Sequence, residues 1–184
     1  MKHSLVRQTI VETASRLFYH NGYNLTGINE IIKEAGIAKA TLYNHFKSKD
    51  DVCLAYLQHK HLNFKEEIKQ FVEERAVGKT QILALFDFLS DFFQSEGFSG
   101  CWCIKAVAEV PIEKDMVRKE IQRQKRELID FIISLVATNM PNIENPDVIG
   151  RQIYVLYEGA VTESYLHQDI WPITSARLIC EQLI

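Results

Sequence analysis

In the segment GINEIIKEAGIAKATLYNHFKSKDDV (Gly27–Val52), apolar residues recur twice at helical spacing, with a glycine between the two runs. Ile28, Ile31 and Ile32 make the first run. Thr26 stands where an N-cap is expected, and Glu30 places a carboxylate in the first turn, where it complements the helix dipole. The run stops at Ala35-Gly36, and glycine lets the chain reverse in a conformation that a Cβ would strain. Residues 39–45 form a second, shorter helix. Ser48, followed by Asp50 and Asp51, caps the long helix that comes next. Ile28, Ile31, Ile32, Ala35, Ile37 and Leu42 are the expected core of this segment. What faces outward on residues 39–45 is Lys39, Ala40, Thr41, Tyr43, Asn44 and His45, a set rich in donors and aromatic surface.

Working outward, Val6, Ile10, Ala14, Leu17 and Phe18 form one stripe of a helix over about 4–21, stopped by Asn21-Gly22. A longer amphipathic helix followed by two short ones around a glycine turn is the layout of a helix-turn-helix head. Beyond residue 48 the helical period continues over about 80–95, 101–110, 113–139, 147–167 and 174 to the end. Breaks fall at 96–100, Pro111, Met140–Pro146 and Trp171-Pro172. β-branched runs between turn signals are scarce. The expected fold is all-α: about nine helices, with a small helix-turn-helix head over 1–47 and a larger helical bundle over 48–184.

The 184 residues allow one ordinary domain, or a small domain joined to a larger one. With 47% hydrophobic and 24% charged residues, a packed core is expected and wholesale disorder is not. The net charge of -3 conceals an asymmetry. Residues 1–60 hold eight Lys and Arg against five Asp and Glu, which leaves 13 basic and 19 acidic groups in 61–184. A basic head on an acidic body points towards a polyanionic partner. The opening MKHSLVRQTIVETA has no apolar core of an export signal, and no apolar stretch approaches a membrane span. Cys53, Cys101, Cys103 and Cys180 then read as reduced thiols, and a cytoplasmic protein without a membrane partner is expected. Gly-rich phosphate loops, nucleophile elbows, metal-binding helices and cofactor motifs are not apparent, so neither an enzyme, a cofactor nor a metal site is expected.

One resemblance is specific. Residues 7–57, above all the string TLYNHFKSKDDV, resemble the DNA-binding domain of the TetR family of transcriptional regulators. That resemblance implies a homodimer whose two helices at 39–45 enter successive major grooves of a palindromic operator in double-stranded DNA. It further implies that Thr41 and Asn44 face base edges or nearby phosphates, and that Tyr43 and His45 touch phosphate or sugar. Lys39 would reach a guanine or a phosphate, and Lys49 and Thr26 would clamp phosphates. Two positions depart from the family pattern. Ala38 lacks the usual Ser or Thr hydroxyl that caps the recognition helix, at about 1 kcal/mol. Ala40 replaces a frequent glycine and adds a methyl group at the DNA-facing surface.

For the body, the resemblance implies a small-molecule effector site and a dimer interface made from the last two helices. His61, Phe86, Phe93, Trp102, Tyr157 and Glu158 are the candidate effector residues. Ile153, Leu156, Ala160, Val161, Ala176, Ile179, Cys180 and Leu183 are the candidate interface. Cys101-x-Cys103 reads as a structural pair, because a metal or thiol sensor would need further ligands or an activating neighbour that the spacing does not reveal. The reading is a ligand-responsive DNA-binding repressor. The alternative is a DNA-binding dimer that answers to a protein partner.

Overall fold

The computed structural model describes residues 2–111, 113 and 115–184. Among these residues the secondary structure is helical throughout: α1 Lys2–Leu25, α2 Ile28–Glu34, α3 Lys39–His45, α4 Lys49–Glu73, α5 Lys79–Gln94, α6 Trp102–Glu109, α7 Asp115–Asn139, α8 Pro146–His167 and α9 Trp171–Leu183. The fold is all-α, as the periodicity predicts. No helix among the described residues is long and apolar enough to cross a membrane. The described chain divides into two compact units, 1–63 with 102–123, and 64–101 with 124–184.

In the first unit α1 packs on α2 and α6, and α2 packs on α3. Ile10, Ala14, Ile31, Leu42, Val52 and Leu57 are fully buried, so the apolar stripes of four helices, α1 to α4, are turned inside. Phe18 lies 5.9 Å from the Tyr23 ring in a stacked pair and 5.5 Å from Tyr56 in a tilted one. Ile28, Ile32, Ala35 and Ile37, expected inside, are only half-buried; two short helices cannot cover every apolar face they carry.

The second unit is centred on α5, whose Ile82, Ala84, Leu85 and Phe86 have no exposed surface. Ile132 and Val136 of α7, Ile153 of α8 and Cys180 of α9 complete that core. Asn139, one of its buried polar residues, is satisfied locally: its side chain accepts from Gly78 N–H at 2.6 Å and donates to the Leu135 carbonyl at 2.9 Å. Arg177 of α9 pairs with Asp87 of α5 at 2.7 Å.

Two helix starts differ from the sequence expectation for reasons of local chemistry. First, α9 begins at Trp171 rather than Thr174, because Pro172 falls in its first turn, where the missing N–H has no intrahelical partner to lose. Second, Gly27, not Thr26, is the N-cap of α2.

Candidate nucleic-acid interface

The turn between α2 and α3 is closed by its own backbone. Gly36 sits at φ +64°. Its N–H donates to the Lys33 carbonyl at 3.1 Å, and Ile37 N–H donates to the Ile32 carbonyl at 3.2 Å. This paired closure is the Schellman geometry, and the left-handed residue at its centre favours glycine. From there α3 runs for seven residues with Leu42 fully buried beneath it. Phe46, at its end, is also core and carries Arg7 over its ring at 5.0 Å. On the opposite side Lys39, Ala40, Tyr43 and Asn44 are exposed, while Thr41 and His45 are half-buried. Ala38 is the N-cap and supplies no side-chain hydrogen bond, as its methyl group dictates.

The start of α4 is held by a reciprocal cap. Asp51 N–H donates to Ser48 Oγ at 3.2 Å, and Asp51 Oδ2 accepts from the N–H groups of Lys47 and Ser48 at 2.9 and 3.1 Å. Next to it Lys49 Nζ lies 4.2 Å above the Tyr23 ring, and the Tyr23 hydroxyl donates to Asp50 Oδ1 at 2.5 Å. Burial pushes the Lys49 ammonium below its ordinary range. Burial first, and then the hydrogen bond to Asp50, push the Tyr23 phenol up. Lys49 is therefore a partly desolvated cation fixed at a helix N-terminus, which a phosphate would relieve.

A joint between α1 and α2 sets the pose of this head. Gly22 interrupts α1 at φ +84°, ψ 171°, and the helix resumes as far as Leu25. Thr26 is fully buried, and its hydroxyl donates to the Gly22 carbonyl at 2.8 Å. Two residues one turn apart on α6 grip the same region. Glu109 Oε2 accepts from Asn24 N–H at 2.7 Å, and Lys105 Nζ donates to the Tyr19 carbonyl at 2.6 Å. Neither residue was singled out from the sequence, since nothing in a chain order separated by 85 residues marks the contact.

A small trihelical head with one polar, half-aromatic helix face over a buried Leu and Phe is a DNA-reading architecture. The family model of bacterial regulatory proteins, tetR family, matches residues 10–56, which contain this joint, α2, α3 and the capped start of α4. Over those residues the chain is similar to the DNA-binding head of the TetR family. It is 22% identical over 177 residues to the HTH-type transcriptional repressor NemR of Escherichia coli (strain K12), covering 92% of this chain and 89% of the relative. A TetR-family transcriptional regulator from Streptomyces coelicolor superposes with a TM-score of 0.88 at 28% identity, covering 98% of this chain and 94% of that one. The reduced form of E. coli NemR has the same fold, with a TM-score of 0.86 at 20% identity and 97% of each chain covered. The matched family and these relatives are transcriptional regulators, not enzymes.

The residues nominated for an effector fall in both units of the chain. His61 and Trp102 are buried in the first. In the second, Phe86 is fully buried with its ring 6.0 Å from that of Tyr157, and Phe93 packs edge-on against Phe98 at 5.2 Å. Glu158 is engaged: both its carboxylate oxygens accept from Lys125, at 2.6 and 2.7 Å. The Tyr157 hydroxyl is buried and has no hydrogen-bond partner among the described residues. Among the described residues no group of three or more His, Cys, Asp or Glu is arranged to hold a metal.

The eight residues nominated for the interface also divide. Ile153, Ala160, Val161, Ala176 and Cys180 are buried within the subunit's own core, which their apolar period alone could not distinguish from a partner-facing stripe. Leu156, Ile179 and Leu183 reach the surface. With Val148 and Val155, which are 52% and 66% exposed, they line one shallow apolar groove on α8 and α9. Of the cysteines, Cys103 is buried as expected, whereas Cys101 is partly accessible.

Proposed function

We propose that this regulator binds a palindromic operator as a homodimer, with one α3 in each of two successive major grooves, and that a small-molecule effector lodged in the body releases it. The observation that carries the reading is the two-sided α3. Lys39, Ala40, Tyr43 and Asn44 stand out of a helix whose Leu42 has no exposed surface. Thr41 and His45 flank that face, and Lys49 adds a fixed cation for a phosphate. Thr26 belongs to the α1–α2 joint, where it positions the reading head from inside. The head is assigned to 1–47 and the effector and dimerisation body to 48–184.

A second copy is the occupant that the exposed apolar face of Val148, Val155, Leu156, Ile179 and Leu183 suits. A two-fold pair built there would present two α3 helices to half-sites roughly 34–36 Å apart, or a modest extension of that. Effector release follows from linkage: a ligand favouring the DNA-incompetent state by about 1–3 kcal/mol shifts operator affinity by the same factor.

Selection of bound sites from random duplex DNA tests the proposal. Recovery of inverted repeats of one spacing is expected. Enrichment of single, unpaired half-sites would remove the dimer, and no enrichment at low salt would remove operator binding.

A further inference from the structure

Around the axis of α3 the side chains sort by angle. At 3.6 residues per turn, Ala40 and Asn44 each stand two positions from Leu42, so both point about 160° away from it. Leu42 has no exposed surface, whereas Ala40 and Asn44 are exposed. Thr41 and Tyr43 lie about 100° to either side of Leu42, on the flanks of the helix. Thr41 is half-buried, and Tyr43 keeps 45% of its surface. A helix laid in a major groove carries its outermost line to the groove floor, where the base edges are, and turns its flanks to the sugar-phosphate walls. Ala40 and Asn44, one turn apart, are that outermost line.

The two residues carry opposite chemistry. Ala40 offers a methyl group that neither donates nor accepts. Pressed against a polar base edge, it would strip water from a donor or acceptor and return nothing, which is costly. The apolar group that base pairs present in the major groove is the C5-methyl of thymine. Asn44 offers a carboxamide, whose oxygen and amino group match N6–H and N7 of adenine. The two positions are separated by about 6 Å along the helix, and the Asn44 side chain leans back towards the N-terminus. Bases stack about 3.4 Å apart, so the two contacts fall about one or two base pairs from each other.

We propose that Ala40 and Asn44 set the sequence of the operator half-site, with thymine read through its methyl group by Ala40 and adenine read at N6 and N7 by Asn44. This rests on the operator-binding reading above and deepens it by naming the bases. The methyl contact takes apolar surface out of water on both partners and strengthens binding about fourfold for each half-site. The bidentate amide contact discriminates against other bases about fivefold or more. Glycine at position 40 would leave the thymine methyl without a partner, and a long side chain there would lift α3 off the groove floor. Leu42 and Phe46, buried on the other side of the helix, hold both residues in this pose.

The test uses the full-length purified chain and duplexes recovered by selection, in which single bases are then replaced by analogues. The recovered half-sites are expected to share a thymine and an adenine at that separation. Uracil in place of the thymine removes only the methyl group, and it should weaken binding about fourfold in one half-site and about 15-fold in both. 7-Deazaadenine in place of the adenine removes the N7 acceptor and should weaken binding about fivefold or more. Ala40→Gly is expected to bind the thymine and uracil duplexes within about twofold of each other, and Asn44→Ala to do the same with adenine and its deaza analogue. Each ratio is taken on one protein, so stability lost in a variant cancels. Ala40→Ser, which sets a hydroxyl beside the methyl group of the base, is a second variant expected to shrink the uracil penalty. Uracil swaps without effect at every thymine, or a uracil penalty that survives Ala40→Gly, would overturn the role of Ala40. The matching results with 7-deazaadenine and Asn44→Ala would overturn that of Asn44. A chain that binds no duplex at low salt would instead sink the operator reading, a result distinct from bound operator that is indifferent to the swaps.

Discussion

Leu42 is fully buried beneath α3, whereas Tyr43, one residue further on, keeps 45% of its surface. The two side chains answer to different forces, and their substitutions should separate cleanly. Leu42→Ala removes core packing and is expected to cost about 2–5 kcal/mol, seen as a lowered unfolding midpoint. Tyr43→Ala should leave stability within about 0.5 kcal/mol and weaken operator binding in a titration. Lys39→Ala should lower the salt dependence of binding by about one counterion if Lys39 contacts a phosphate, uniformly across operator sequences. An unchanged affinity and salt slope in both surface variants would place the DNA contact elsewhere. Much of this was legible in TLYNHFKSKDDV, because its apolar and polar positions alternate with the helical period and only one phase buries Leu42 and Phe46 together. Thr26 was not legible: a threonine before a helix looks like a cap or a clamp until the Gly22 carbonyl is seen to accept its hydroxyl in the interior.

At the level of elements, the short helices depend on their ends. The N-cap of α3 is an alanine with no side-chain hydrogen bond, so Ala38→Ser should add about 1 kcal/mol. In thermal unfolding that is a rise of about 2–4 °C for a chain of this size, and an unchanged midpoint would show that a neighbour already satisfies the helix start. The break in α1 is more demanding. Gly22 sits at φ +84°, and a Cβ there would meet the carboxylate of Glu109 at 2.2 Å. The Glu109 side chain could swing away from that contact, but the backbone strain would remain. Gly22→Ala is therefore expected to destabilise by about 1 kcal/mol or more, with Glu109→Ala unable to restore the loss fully. Sequence periodicity located α3 at residues 39–45 correctly because its neighbours, Gly36 and Ser48, mark both ends chemically. It stopped α1 at Asn21-Gly22 because the groups that hold the joint, Asn24, Thr26 and Glu109, come partly from a helix far along the chain. Interactions of that kind leave no local trace.

For the whole molecule, the question is which apolar surface of α8 and α9 belongs to the subunit and which to its proposed partner. Periodicity marks Ile153, Leu156, Ala160 and Val161 alike. Burial divides them, since Ile153 has no exposed surface while Val155, on the opposite side of the same helix, is 66% exposed. Dimerisation has to be carried by the second set, because burying apolar area counts only where that area is still in water, at about 25 cal/mol per Å². A stable pair typically covers about 800 Å² on each subunit, so one charge at the centre of the face should be enough to break it. Val155→Glu and Ile179→Glu are expected to yield folded monomers in sedimentation, with an unfolding midpoint close to that of the parent. Each monomer would retain α3 but lose the two-point attachment to a palindrome, which multiplies affinity through effective concentration by about 100-fold or more. Ile153→Ala should behave in the opposite sense, lowering the unfolding midpoint through a cavity in the subunit's own core. If the glutamate variants sediment as dimers with full operator affinity, the partner sits on another surface, and the exposed groove of α8 and α9 would then be free for a different protein.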